Sequence, residues 1–116
     1  MNHHVLAVPD KTITAAFFIN ILGFKKYFEN EGWIFVLRDN CEIMLGECRD
    51  AIPPSALGEH SYFSYLLVDN ADEYFNEVKQ KGGTFTSEIS DKPWNMREFG
   101  ILSPDGFRLM VGQKIK

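Results

Sequence analysis

Glu42-Ile43-Met44-Leu45-Gly46-Glu47 and, 66 positions further on, Arg108-Leu109-Met110-Val111-Gly112-Gln113 are two copies of one strand-like phrase: polar, aliphatic, Met, aliphatic, Gly, polar. Outward from this pair the likeness continues, with Val8 lying over Val68 and Gly23 over Gly83, both at an offset of 60. An internal repeat accounts for the matches most simply.

The segments around these anchors alternate in the same order in both halves. Val5-Leu6-Ala7-Val8 is a short apolar strand stopped by Pro9, and Asp10 is placed to cap the helix that follows. Ile13, Ala16, Phe17 and Ile21 recur at helical spacing between Lys11 and Leu22, and Gly23 suits the left-handed conformation after a helix end. Phe24 to Phe28, Trp33 to Leu37 and Glu42 to Leu45 then read as three antiparallel strands, separated by turns at Asn30-Glu31-Gly32 and Asp39-Asn40.

In the second half Tyr62 to Val68 is a strand and Asn70 a helix cap, with Glu73 at the capping-box position. Ala71, Tyr74, Phe75 and Val78 form the apolar stripe of that helix, which ends at Gly82-Gly83. Thr84 to Ile89, Met96 to Leu102 and Phe107 to Val111 are again three strands, the last following the turn Ser103-Pro104-Asp105-Gly106. Each unit has too little core to bury its own apolar surface, so the two must pack together or against a second chain. A ferredoxin-like sandwich also alternates strands and helices, but has too few strands.

At 116 residues the chain is expected to be a single α+β domain over 1–116, with module one at about 1–50 and module two at about 60–116. No apolar run reaches the length of a membrane span, and no basic region followed by an apolar stretch marks a signal, so a cytoplasmic location without membrane contact is expected. The net charge is -4, with Lys and Arg scattered, which excludes a nucleic-acid footprint and leaves a small molecule as the expected partner. Cys41 and Cys48 are expected to be free thiols. No nucleophile motif or phosphate-cradling glycine loop occurs.

Val8-Pro9-Asp10, Phe17-Phe18, Leu22-Gly23-Phe24, Pro93-Trp94-Asn95-Met96-Arg97-Glu98-Phe99 and Ser103-Pro104-Asp105-Gly106 together resemble the glyoxalase/bleomycin-resistance/dioxygenase superfamily, the vicinal oxygen chelate fold. The Pro-Trp segment resembles its metal-free bleomycin-resistance branch in particular. The resemblance implies two tandem βαβββ modules forming half-open barrels, commonly in a homodimer with pockets near the subunit junction.

In the enzymes of that superfamily a divalent metal is held at four strand positions, usually two His and two Glu. By the same resemblance those positions fall here on His3, Phe63, Met44 and Met110. One imidazole with a phenyl ring and two thioethers is no site for Zn, Mn, Ni or non-haem Fe, so neither metal nor cofactor is expected. Other potential ligands, among them His4, His60 and Glu59, lack metal-motif spacing.

Strand parity says what a vacated pocket offers. If Met44 and Met110 look inward, Glu42 and Arg108 do so too, with Val5 and Ala7 near His3 and Tyr65 near Phe63. Such a pocket is soft and apolar with two charged hooks. Alternatively Glu42 pairs with Arg108 and the methionines fill core. Trp33, Phe35 and Trp94 are candidates for stacking on a flat ligand, or else for core or interface.

The expected ligand-binding set is therefore His3, Trp33, Phe35, Glu42, Met44, Phe63, Trp94, Arg108 and Met110. The expected function is metal-independent binding and sequestration of a small molecule of antibiotic type. The alternative is a glyoxalase-like lyase or isomerase, or a dioxygenase-type enzyme, in which His3 or Glu42 serves as general base or a non-standard metal set operates.

Overall fold

The computed structural model describes residues 2–115; Met1 and Lys116, the ends of the predicted domain, lie outside the described residues. The first module runs β1 (Asn2–Val8), α1 (Lys11–Asn20), β2 (Lys25–Glu29), β3 (Trp33–Arg38) and β4 (Cys41–Glu47). A 3-10 connector at Pro54–His60, kinked at Gly58, leads to the second module. That module comprises β5 (Tyr62–Leu67), α2 (Ala71–Gln80), β6 (Thr84–Lys92), β7 (Met96–Leu102) and β8 (Arg108–Lys114).

Each module folds into a four-stranded mixed sheet, in the order β1-β4-β3-β2 and β5-β8-β7-β6. The strand before each helix returns to pair in parallel with the last strand of its own module, a pairing that needs a crossover. The predicted repeat is thus a repeat of topology, and the two phrases quoted at the outset are β4 and β8, an inner strand of each sheet. The central pairs are equivalent: Val5 opposite Met44, and Tyr65 opposite Met110.

Both helix caps form as predicted. Asp10 accepts from the backbone N–H of Thr12 and Ile13, and Asn70 accepts from that of Glu73. The second helix buries Ala71, Tyr74 and Val78 of the predicted stripe, with Phe75 partly buried against the core. The first departs from prediction: it buries Thr14, Ala15, Phe17 and Phe18, while Ile13 and Ala16 are exposed. Thr-Ile-Thr-Ala-Ala-Phe-Phe-Ile is apolar on nearly every side, so spacing alone admits several stripes. The contacts choose one: Phe18 meets Phe24 and Phe63, and the Thr14 hydroxyl donates to Asp105 at 2.7 Å.

The sheet faces that meet the helices carry the core: Leu6, Val8, Ile34, Val36, Ile43 and Leu45 in module one, and Leu66, Phe99, Ile101, Leu109 and Val111 in module two. Polar staples join the modules. Arg38 on β3 bonds Glu77 on α2 in a two-pronged pair at 2.7 and 3.2 Å, and both Arg38 and the Tyr74 hydroxyl donate to the Leu22 carbonyl. Burial pushes the Tyr74 phenol above its ordinary pKa, against the opposing pull of the Arg38 charge.

Candidate functional site

Alternation along a strand puts half of each sheet's side chains on the face away from its helix. On that open face, cross-strand register arranges them in rows. In module one the rows are His3–Glu42–Leu37, then Val5–Met44–Phe35–Phe28, then Ala7–Gly46–Trp33. In module two they are Tyr62–Arg108–Leu102, then Tyr65–Met110–Gly100, then Leu67–Gly112–Glu98. Eight of the nine predicted site residues therefore lie on the open faces: Trp94, from the β6–β7 turn, joins the second face through Glu98. The facing of Trp33 and Phe35, which spacing left undecided, follows from the burial of Ile34 and Val36 on the opposite side.

Phe63 does not join them. The pairing of β5 with β8 shifts between Tyr62 and Ser64, and the extra residue turns the Phe63 ring against Phe18 and Phe107, at 6.3 and 5.4 Å between centroids. Parity from Tyr65 back to Phe63 fails at that bulge.

The last-strand glycines are explained by what lies over them. The Trp33 indole covers Gly46, where a Cβ would come within 3.0 Å of the ring. The Tyr65 ring covers Gly112, where a Cβ would come within 2.6 Å of Cζ. Two equivalent glycines thus each make room for an aromatic plate on the open face. Around the first plate Phe35 touches Trp33 and Phe28, at 6.1 and 4.8 Å between centroids.

Charge is placed sparingly. His3 Nδ1 donates to the carboxylate of Glu42, which is only 5 % exposed. Glu42 and Arg108 do not pair with each other among the described residues; Arg108 instead lies over the Tyr62 ring at 5.9 Å, and its buried Nε has no hydrogen-bond partner among the described residues. Glu98, also 5 % exposed, accepts from the Tyr65 hydroxyl at 2.8 Å and from the Trp94 indole at 3.0 Å. Burial and this bond push the Tyr65 phenol up to about 12. Trp94 was expected from the sequence, but its partner Glu98, and Tyr65 as the second donor to that carboxylate, were not. The available signal was Glu98 four positions after Trp94 and alternating with the core residue Phe99.

The residues do not fit the metal of the superfamily's enzymes. Of the four positions that the resemblance assigns to a metal only His3 bears a metal-binding side chain of the usual kind, and Glu42 alone accompanies it. Among the described residues no group of three or more His, Cys, Asp or Glu side chains comes together. Cys41 and Cys48 are free thiols, as expected, and burial raises the pKa of Cys41.

A cleft of about 560 Å³ lies between the β3–β4 turn, β5 and the start of α2, with Tyr65 and Leu67 along one side. None of the nine predicted residues lines it. Its one arginine, Arg38, is already committed to Glu77, and its rim is acidic, with Asp39, Asp69 and Glu73. The open faces, by contrast, combine aromatic plates, thioethers and a buried guanidinium nitrogen without a partner, so they are the better candidate.

The sequence matches the family model described as Glyoxalase/Bleomycin resistance protein/Dioxygenase superfamily over residues 1–111. No curated protein matches it. Among solved structures it is similar to the bleomycin resistance determinant encoded on the transposon Tn5, with 23 % identity, TM-score 0.80, and 98 % of this chain and 97 % of that one covered. A bleomycin-binding protein complexed with bleomycin matches at 23 % identity and TM-score 0.80, covering 98 % of both chains. TnmS3, an antibiotic binding protein from Streptomyces sp. CB03234, matches at 19 % identity and TM-score 0.77, covering 98 % and 96 %.

Proposed function

From the premise that the chain belongs to the glyoxalase/bleomycin resistance/dioxygenase superfamily, we propose that it binds and sequesters a small, partly aromatic molecule of antibiotic type without a metal. The observation that carries this reading is the pair of aromatic plates, Trp33 over Gly46 and Tyr65 over Gly112, each beside a methionine at an inherited metal position. Rings and thioethers supply broad, adaptable contact to a flat ligand. Charge at Arg108 and Glu42 orients it. The similarity to a bleomycin-bound protein and to an antibiotic binding protein supports the same class of ligand.

The reading includes a homodimer. Val5, Phe28, Tyr62, Tyr65 and Leu67 are 42 to 74 % exposed on the open faces, large apolar side chains that this chain leaves uncovered. A second copy laid against these faces converts them into walls of an enclosed pocket. Light scattering at micromolar concentration should give twice the 13.3 kDa chain mass, and a monomer at all concentrations would contradict it.

Metal independence is tested by elemental analysis of protein purified without chelator, followed by thermal unfolding with bleomycin as the probe. The expected result is no stoichiometric divalent metal and a melting temperature raised equally with and without chelator. A ligand at 100 times its Kd stabilises by about 2.7 kcal/mol. One tightly held ion per chain, lost on His3→Ala, would overturn the metal-free reading.

One observation favours a second reading. An imidazole oriented by a buried carboxylate, as His3 is by Glu42, is the arrangement of a general base, which a lyase or isomerase would use. Turnover abolished by Glu42→Gln with binding retained would select it.

A further inference from the structure

Glu98 is a buried carboxylate whose close partners among the described residues are neutral. Tyr65 Oη and Trp94 Nε1 both donate to the same oxygen, Oε1. No ion pair among the described residues includes Glu98. The cation next to it in sequence, Arg97, points to the other side of the sheet, where it is held by Asp72 and Asp91 at 2.9 and 2.8 Å. An anion removed from water in this way is costly unless an opposite charge is supplied.

The two donors are also unusual for what they leave exposed. Trp94 is 61 % exposed and Tyr65 42 %, yet each ring is pinned by its polar end to one carboxylate. Their faces are thereby held as walls, and π faces attract cations. The Tyr65 phenol, pushed up to about 12, keeps its donor proton throughout the neutral range. Arg108, with its unpartnered Nε, stands on the same face four residues back from Gly112, the cross-strand neighbour of Glu98. At about 3.3 Å per residue that separates the two backbone positions by roughly 13 Å along the sheet, with Met110 between them.

We propose that Glu98, Tyr65 and Trp94 form a subsite for an organic cation, an ammonium or guanidinium group carried by the ligand of the open face. This rests on the pocket reading above and narrows it: the ligand is a partly aromatic cation whose positive end lies at Glu98. Glu98 also positions Trp94 through the indole N–H, so the two functions share one side chain.

The test titrates 15N-labelled protein with benzyltrimethylammonium, with neutral benzyl alcohol and with benzenesulfonate at constant ionic strength, following the indole N–H signals of Trp94 and Trp33. The cation should shift the Trp94 signal saturably, at a concentration at least about tenfold lower than benzyl alcohol requires, as expected of a charged contact. Benzenesulfonate should leave that signal unmoved. Glu98→Gln keeps a carbonyl oxygen for both donors, so the folded spectrum should persist while the cation's advantage disappears. If benzyl alcohol binds as tightly as the cation, or Glu98→Gln retains the preference, the cation subsite is overturned and the apolar pocket stands. If no probe moves any open-face resonance, both are overturned.

Discussion

Two glycines decide how much aromatic surface the open faces carry. Gly112 lies under the Tyr65 ring so closely that a methyl group cannot be added without displacing it. Gly112→Ala should therefore lower stability by about 1 to 3 kcal/mol, the usual cost of overpacking, measured by denaturant unfolding. In a Tyr65→Ala background the same substitution should cost much less, because the obstructing ring is gone. Equal costs in both backgrounds would mean that Tyr65 does not lie over Gly112. Alternation from Met44 and Met110 was enough to place Glu42 and Arg108 on the open face, because a strand's period admits only two sides. It failed at Phe63 because a bulge adds one residue without changing composition. The link from Glu98 to Trp94 and Tyr65 spans two strands and a turn, and no local pattern encodes it.

Helix ends were more legible than helix faces. Asp10 and Asn70 each precede a helix and each accept from its first turn, since short polar side chains answer a local need of the backbone. Asp10 accepts from two N–H groups, so Asp10→Ala should cost about 1 kcal/mol in chemical unfolding, and no loss would mean that water satisfies those donors equally well. The buried face of α1 was not legible, because its apolar residues run nearly all round and only tertiary contacts select among them. The connector Pro54–His60 was likewise missed: it has no apolar period, and Pro53-Pro54 reads only as an interruption.

At the scale of the molecule, two topologically equal modules are locked by a few polar contacts beside the shared core. Arg38 draws the Glu77 carboxyl below its ordinary pKa, with Lys81 assisting. A depressed carboxylate stabilises the fold above its unfolded pKa, near 4.5, and that contribution is lost as pH falls through the lower folded value. The pair is partly exposed and screened, so Glu77→Gln should cost about 1 kcal/mol or less at neutral pH, with the difference from the parent protein vanishing in acid. A difference that persisted in acid would show the loss to be one of packing. The repeat itself was the most legible feature of the sequence, because Met44 and Met110 hold equivalent positions in the two sheets. Whether a second chain closes the open faces was not legible, since exposed apolar strands look alike whether they await a ligand or a partner.

Metal-independent binding on these faces is tested by isothermal titration of chelator-treated protein with metal-free bleomycin, the ligand that one structural neighbour holds. The predicted result is saturable binding with an affinity unchanged when Zn, Ni or Mn is restored. Binding that appears only after a divalent metal is added, or no binding under either condition, would contradict it.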